Sequence, residues 1–409
     1  MKYQLNNIEF LFPAEPNLAH FVEMCPEEPF SENAIAFLNA LSIILKNETK
    51  TYNFPEIATF AFFCRKANLL QLKKNYYPQN DTRKGKGIVF HITPSNVPVN
   101  FAYSLVSGIL SGNLNIVRVP SIKFEQVEII CNAIYTLYSK PKFQSFCQRM
   151  LLIRYDKLSD ATAYFSSICN ARIIWGGDDS IREIQKNTLA PTALDVTFAD
   201  KYSICIINAD NYINEVSPLK IAQAFYNDTY LFDQNACTSP HLIVWLGHDE
   251  NVAEAKRVFW DNLYSLVKKR YYFQPHSAID KLTAFYTQAL HLEGIKKAAM
   301  PDNLIWRVEL SALSEDVPNY RCNCGYFAEY KAASLSELAD IGFSKRQTIA
   351  YYGIEKEDLI QFSAQKNTTA IDRMIPIGKT SEFSLTWDGY NLIDTLSKQI
   401  VYENKQILS

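Results

Sequence analysis

Short apolar runs separated by longer amphipathic segments dominate the pattern of this chain. In order, the runs are KGIVFHI, LNIVRV, RIIWGG, YSICIINA and HLIVWLG. Runs of this length are typical of buried parallel strands, and the amphipathic segments between them are typical of crossover helices. The pattern therefore predicts an α/β fold built on an open, doubly wound parallel sheet.

Turn and helix signals predict where the chain divides. The run YSICIINADN ends in an Asn/Asp turn, which is typical of the end of one α/β unit, and KIAQAFYNDTYLF then predicts a helix. We predict a first domain over 1–207, a second over 208–375, and a C-terminal segment over 376–409. In that segment TWDGYNLIDTLSKQIVYE predicts an amphipathic helix with apolar positions at Leu392, Ile393, Leu396, Ile400 and Val401.

Composition narrows the class of protein. The 409 residues are 48% hydrophobic and 21% charged, as in a globular chain. A formal net charge of −2 argues against binding nucleic acid or anionic membranes by bulk electrostatics. No apolar run reaches the roughly 18 residues of a membrane span, and Glu9 and Pro13 interrupt the apolar start, unlike in a signal peptide. We expect a soluble, cytoplasmic protein.

The nine cysteines are odd in number and scattered, which suits free thiols in a reducing compartment. Cys322 and Cys324 form a lone Cys-x-Cys pair. A zinc site needs four ligands at suitable spacing, and no second pair of cysteines or histidines matches this one. We therefore predict no metal site.

The first candidate for chemistry is the loop TPSNVP, which follows KGIVFHI and precedes a predicted helix. Ser95 or Asn96 is well placed to cap that helix, with Pro98 in its first turn. Alternatively, the side-chain amide of Asn96 points into the crevice at the carboxyl end of the strand, where α/β sheets bind ligands.

The second candidate is LNIVRVPS, in which Arg118 ends a strand and Ser121 follows it. A cation and a hydroxyl at a strand's carboxyl end suit a ribose phosphate. The same residues are equally consistent with a solvated strand end.

The third candidate is RIIWGGDDSIREI. Gly176 and Gly177 allow a tight turn, Asp178 or Asp179 can cap the next helix, and its first backbone N–H groups suit a pyrophosphate. The segment lacks the full G-x-G-x-x-G pattern, so this signal is weak.

The fourth candidate is Cys237, in the polar turn QNACTSP before the strand HLIVWLG. A free cysteine is most often a small buried hydrophobic residue. As a nucleophile, it would need activation by local dipoles or a helix N-terminus. His241 lies too far along the strand to be an obvious base.

Taken in order, these four segments resemble the aldehyde dehydrogenase superfamily, and within it the LuxC-type long-chain acyl-CoA reductases of the bioluminescence fatty-acid reductase complex. The resemblance spans about residues 86–402 and is most specific in CTSP and in the tail around Trp387-Asp388-Gly389. It implies an aldehyde-dehydrogenase-like fold. The first domain would be Rossmann-like and bind the cofactor, the second α/β domain would carry the catalytic cysteine, and the C-terminal segment would return and support oligomer contacts.

The resemblance also implies roles for individual residues. Cys237 would be the nucleophile and Asn96 an oxyanion donor. Arg118 stands where the family more often has lysine, and Ser121 replaces a glutamate common in NAD-preferring members, which favours NADPH. The implied cofactor-binding residues are Thr93, Ser95, Arg118, Ser121, Gly176 and Gly177.

One departure from aldehyde-oxidising members bears on the reaction. Their Glu-Leu-Gly-Gly-Lys element aligns with Thr197-Phe198-Ala199-Asp200-Lys201, which has no glutamate to activate water. The resemblance then implies NADPH-dependent reduction of a fatty acyl thioester, carried by CoA or by a partner protein, to a fatty aldehyde through an acyl-cysteine.

The implied partners are an acyl-protein synthetase, a thioesterase and further copies of the chain. The pathway stays open between luminescence and polysaccharide or lipid biosynthesis, which could use the same aldehyde chemistry. Two alternatives use the same fold. One is a non-redox acyltransferase or thioesterase that employs Cys237, and the other is a catalytically silent scaffold.

Overall fold

In the computed structural model the chain folds as two compact units, and residues 7–78, 82–95, 97–156, 159–340 and 345–401 are described. The first unit comprises 1–199 and 384–409, and the second comprises 200–383. These divisions fall earlier than the predicted boundary at 207/208 and later than the one at 375/376.

The secondary structure alternates between helices and strands along most of the chain. Within the described residues the α-helices are α1 (Leu18–Glu23), α2 (Glu32–Asn47), α3 (Pro55–Phe63), α4 (Lys66–Tyr76), α5 (Asn100–Leu110), α6 (Glu125–Tyr138), α7 (Pro141–Cys147), α8 (Ala161–Ile168), α9 (Asp178–Gln185), α10 (Ala209–Tyr212), α11 (Pro218–Thr229), α12 (Asp249–Arg270), α13 (His276–His291), α14 (Leu335–Asp340), α15 (Lys356–Ser363) and α16 (Leu392–Leu396). The strands are β1 (Glu9–Phe12), β2 (Arg83–Gly85), β3 (Ile88–Ile92), β4 (Leu114–Arg118), β5 (Met150–Arg154), β6 (Ala171–Trp175), β7 (Leu194–Phe198), β8 (Tyr202–Asn208), β9 (Pro240–Leu246), β10 (Lys296–Lys297), β11 (Trp306–Glu309), β12 (Tyr326–Lys331), β13 (Arg346–Tyr352), β14 (Arg373–Pro376), β15 (Thr386–Trp387), β16 (Tyr390–Asn391) and β17 (Ser397–Gln399). Short 3-10 helices lie at Thr49–Asn53, Tyr230–Phe232, Val317–Tyr320 and Lys366–Thr368.

The first unit is built on a six-stranded sheet in the order β1-β5-β4-β3-β6-β7. Only β1 is antiparallel to its neighbour, and the remaining pairs are parallel. From β5 to β7 the strand order is that of a doubly wound nucleotide-binding sheet. The direction in which successive strands are added to the sheet reverses between β3 and β6. The predicted fold class is confirmed for this unit.

The second unit contains a seven-stranded sheet in the order β10-β11-β12-β9-β8-β13-β14, parallel except for β10. In β8, Cys205 and Ile207 pack into the core on one face, while Ile204 and Ile206 pack into the core on the other. A strand covered on both faces is apolar at most of its positions, which explains the apolar run that predicted it.

The assignment of β8 to the end of the first domain is wrong. This strand pairs in parallel with β9 on one side and β13 on the other, so it lies in the middle of the second sheet. Its Asn/Asp turn is the start of α10, where the Asn208 side chain accepts the backbone N–H groups of Asp210 and Asn211.

The predicted C-terminal helix is also wrong over most of its length. Asp388 and Gly389 have φ values of 46° and 78° and form the tight turn between β15 and β16, a geometry that Asp-Gly favours. Within the described part of this segment only α16 is helical, and β17 then pairs antiparallel with β2. Val401, one of the apolar positions of the predicted helix, is 74% exposed.

No helix among the described residues is both long and apolar enough to cross a membrane.

Candidate active site

The loops that follow β3, β4 and β6 meet at one cavity of about 480 Å³ within the first unit, which we call the strand-end cavity. Its lining includes five of the residues predicted from sequence, namely Thr93, Ser95, Arg118, Gly176 and Gly177. It lies at the carboxyl ends of the two strands where the winding of the sheet reverses, the usual ligand position in such folds.

Arg118 is the cation of this cavity. Its backbone carbonyl accepts the Thr93 hydroxyl at 2.7 Å, which fixes the end of β4 beside the end of β3. Its guanidinium lies 4.8 Å from the centroid of the Tyr155 ring, and one N–H donates to the Tyr155 carbonyl at 3.5 Å. The buried Nε has no hydrogen-bond partner among the described residues, so a donor is left for an anionic ligand.

The chain bends at Gly176, between β6 and α9, without the left-handed backbone that favours glycine. Neither Gly176 nor Gly177 adopts a positive φ, and Gly177, with φ −69°, is the N-cap residue of α9. A Cβ at Gly177 would meet nothing within 4 Å, so its hydrogen leaves open space at the helix start. Asp178 and Asp179 occupy the first turn of α9, and the prediction that one of them is the N-cap is wrong.

The helix after β3 begins later than predicted. Its first residue is Asn100 and its N-cap is Val99, so the predicted cap at Ser95 is wrong. The Ser95 hydroxyl instead pairs with that of Ser121 at 3.0 Å, which joins two of the predicted cofactor residues. Asn96 lies outside the described residues.

A network of buried polar side chains connects the strands and the helix next to the cavity. The Ser104 hydroxyl contacts His91 Nδ1 at 2.8 Å and accepts the indole N–H of Trp175 at 3.0 Å, linking α5 to β3 and β6. His91 Nε2 contacts Asn115 at 3.1 Å. Burial lowers the pKa of His91 to about 4, so the ring is neutral near pH 7.

Arg172 fixes the opposite wall of the cavity. It is 1% exposed and binds Asp195, its neighbour across β6 and β7, through two bonds of 2.7 Å. Its Nη1 donates to the carbonyls of Ile184 at 3.2 Å and Asn187 at 3.0 Å, two residues that line the cavity. The local sequence does not reveal this role, because its only signal is an arginine inside an apolar strand.

In the second unit, Cys237 is half-buried in a turn of residues 233–239, which we call the cysteine turn. The turn precedes β9 and so lies at the amino edge of the sheet. The Ser203 hydroxyl donates to the Cys237 carbonyl at 2.7 Å. Asp233 and Gln234 have φ values of 50° and 60°, an uncommon conformation for residues with a side chain.

The stretch around Cys237 contains no helix start of its own. Within the described residues no helix begins between 233 and 246. His241 is stacked on Tyr202 and contacts the Cys322 carbonyl at 3.2 Å. Burial lowers the pKa of His241 to about 3, so the ring is neutral near pH 7.

The segment aligned with the family's water-activating glutamate contains one carboxylate, that of Asp200. It pairs with the Arg321 guanidinium and lies 3.6 Å from the Lys345 ammonium. Each of its two oxygens thus faces a cation. Across the described residues, no group of three His, Cys, Asp or Glu side chains is arranged to hold a metal ion.

Comparison with known proteins gives the family. Residues 63–399 match the model for acyl-CoA reductase (LuxC). The long-chain acyl-protein thioester reductase of Vibrio harveyi is 25% identical over 307 residues, covering 73% of this chain and 60% of the relative. The chain thus spans less than two thirds of that relative's length.

Solved structures show the same fold. Aldehyde dehydrogenase 21 from Physcomitrella patens matches with a TM-score of 0.65 at 13% identity, over 92% of this chain and 87% of that one. The NADP complex of the glyceraldehyde-3-phosphate dehydrogenase GapN from Methanocaldococcus jannaschii matches with a TM-score of 0.63 at 12% identity, over 93% and 91%. The fold is aldehyde-dehydrogenase-like, and the chain belongs to the LuxC family of acyl-CoA reductases.

Proposed function

We propose that this protein reduces a fatty acyl thioester to a fatty aldehyde with NADPH, through an acyl intermediate on Cys237. The carrying observation is a half-buried cysteine in a tightly hydrogen-bonded turn, within a chain of the LuxC family. The Vibrio harveyi relative is named for reduction of acyl-protein thioesters, which supports the same reaction class here.

The Cys237 thiolate attacks the thioester carbonyl carbon, and its C–S bond forms as the carbonyl electrons move to oxygen. The tetrahedral oxyanion is stabilised by the Cys237 backbone N–H and by the Asn96 side chain, each donor contributing about 3 kcal/mol. Collapse expels the carrier thiol and leaves the acyl group on Cys237. When bound, the nicotinamide cofactor supplies the hydride for this acyl carbon. The alkoxide that results re-forms the carbonyl as the C–S bond breaks, and the aldehyde and the Cys237 thiolate are released.

The residues at the strand-end cavity fit a phosphorylated dinucleotide. Arg118 retains a buried N–H with no partner among the described residues, and Gly177 leaves the start of α9 open. Backbone N–H groups at a helix start favour a pyrophosphate. The hydroxyls of Ser95 and Ser121, together with Arg118, favour a 2′-phosphate. A carboxylate at position 121 would repel that phosphate, and this chain has a serine there.

The lack of a free carboxylate at Asp200 favours a reductase over an aldehyde oxidase. Its pairing with Arg321 removes the nearest candidate for activating water in the aligned segment. Without such a base, the acyl-cysteine survives until it is reduced. We further propose a carrier protein or CoA as the thiol component, a homo-oligomer and a cytoplasmic location, the last because none of the nine cysteines forms a disulfide.

NADPH oxidation with myristoyl-CoA, combined with detection of the aldehyde, tests the proposal. Cys237→Ala should lower turnover at least about 10³-fold, whereas Cys322→Ala, which changes another half-buried cysteine of the same unit, should not. Asn96→Ala should slow turnover about 10²-fold. Aldehyde formation at the normal rate by Cys237→Ala would refute the assignment.

A further inference from the structure

The Gln234 side chain lies at the centre of the hydrogen bonds around the cysteine turn. It is 1% exposed. Its Oε1 accepts the backbone N–H groups of Gly325 at 2.9 Å and Tyr326 at 3.2 Å. Its Nε2 donates to the carbonyls of Pro240 at 2.9 Å and Tyr326 at 3.1 Å.

These four bonds use the whole capacity of a primary amide, which has two donor hydrogens and two acceptor lone pairs. They also fix the orientation of the amide. Two N–H groups face one end of it and two carbonyls face the other, so the flipped amide would lose every bond. No other natural side chain of this size offers both pairs.

The bonds enclose Cys237 in a closed loop. The contact from Gln234 to Pro240 joins residues six positions apart, and Cys237 lies midway between them. The contacts to Gly325 and Tyr326 fasten this loop to the start of β12. The left-handed backbone at Gln234 is costly for a residue with a side chain, so the turn needs such restraints to persist.

We propose that Gln234 is a positioning residue for the reaction, which holds the Cys237 thiol in the orientation required for attack on the thioester. The inference rests on the proposed role of Cys237 as nucleophile. Gln234 acts through the backbone of the turn and does not touch the substrate.

Replacement by glutamate gives a specific signature. Gln234→Glu keeps the shape of the side chain. An ionised carboxylate, however, places an oxygen next to the carbonyl oxygens of Pro240 and Tyr326, where the amide had two N–H donors. Burial and these carbonyls raise the pKa of the new carboxyl. Once protonated, it regains one O–H donor. The variant should therefore be impaired at high pH and recover as the pH falls.

The experiment measures two rates between pH 6 and pH 9. The first is alkylation of Cys237 by iodoacetamide, followed by peptide mass spectrometry, which needs neither cofactor nor substrate. The second is kcat and KM for NADPH oxidation with myristoyl-CoA. Gln288→Glu is the matched control, because Gln288 is also 1% exposed in the second unit and accepts the hydroxyl of Tyr326 at 2.6 Å.

For Gln234→Glu, kcat relative to wild type should fall about 10²-fold at pH 9, as for a misplaced reacting group, and recover at pH 6. KM should change much less. Gln234→Asn, whose amide is one methylene shorter, should lose kcat without any new pH dependence and serves as the test if Gln234→Glu folds poorly. A wild-type pH profile for Gln234→Glu, together with a wild-type kcat for Gln234→Asn, would overturn the proposal.

The two proposals fail in different ways. Altered alkylation of Cys237 in the Gln234 variants, in a protein that oxidises no NADPH, would retain the positioning role and reject the reductase reaction. Normal alkylation and normal kcat in the same variants would reject positioning while leaving the reductase intact.

Discussion

Arg172 provides the sharpest stability test of the first unit. Arg172→Met keeps most of the aliphatic volume but removes the charge and every donor. It leaves the Asp195 carboxylate, whose side chain is only 21% exposed, without the guanidinium that forms two bonds of 2.7 Å with it. It also removes the donor to Ser166 Oγ at 2.8 Å and those to two carbonyls of the cavity wall.

Breaking a buried ion pair from one side costs about 3–5 kcal/mol. Because Asp195 retains some contact with water, we expect the lower end, about 3 kcal/mol. Asp195→Asn should lower the free energy of unfolding less than Arg172→Met does, since one amide oxygen still accepts a guanidinium N–H. The loss in the double variant should be smaller than the sum of the losses in the two single variants, as expected for residues in direct contact.

Hydrogen exchange with mass spectrometry measures this effect where it occurs. Peptides covering 171–198 report on β6 and β7, while a peptide over 202–208 in the second unit is the internal reference. Arg182→Met is the matched control, because Arg182 pairs with Asp179 on the surface of α9 and both are largely exposed. An equal, small loss of protection in Arg172→Met and Arg182→Met would refute the reasoning.

Three further predictions test the cavity and the second sheet. Arg118→Gln should raise KM for NADPH by at least about 10-fold, roughly 1.4 kcal/mol, with little effect on KM for NADH; equal losses for both cofactors would contradict a 2′-phosphate site. Gly177→Leu should also raise KM for NADPH without lowering the unfolding midpoint, because its φ is ordinary and its Cβ meets open space; unchanged KM would place the cofactor elsewhere. Burial raises the pKa of Asp228 to about 7, from about 3.9 when unfolded, so its contribution to stability is complete below pH 4 and is lost as the pH rises through 7. This pH dependence amounts to about 4 kcal/mol in the free energy of unfolding, and Asp228→Asn should reduce it. The measurement is a series of urea titrations at different pH values, followed by hydrogen exchange of the second unit. The same dependence of unfolding free energy on pH in wild type and variant would contradict the raised pKa.

The sequence predicted the strands well because their signal is local. A parallel strand covered on both faces is mostly apolar, and β3, β4, β6, β8 and β9 each contain a short apolar run, even where a residue such as His91, Asn115 or Arg172 interrupts the strand. The loops after β3, β4 and β6 meet at the strand-end cavity because the carboxyl ends of parallel strands share one edge.

Errors arose where distant contacts override local pattern. The apolar periodicity after Asn391 favours a helix, but the segment from Ser397 to Gln399 instead pairs with β2 near the start of the chain. The role of Gln234 was invisible for the same reason, because its partner Tyr326 lies 92 positions away. Glycine identity alone could not distinguish a tight turn from the open space at Gly177.

The two sheets present their candidate chemistry at opposite edges, and this difference has a physical consequence. At the carboxyl edge of the first sheet, the N-terminus of α9 brings partial positive charge to the strand-end cavity. The cysteine turn instead lies at an amino edge. Helix α11 ends at Thr229, shortly before it, and a helix C-terminus carries partial negative charge, which disfavours a thiolate. The peptide dipoles of the turn are a source of activation that does not depend on a helix, and in our proposal they are fixed by the side chains that hold the turn, above all Gln234.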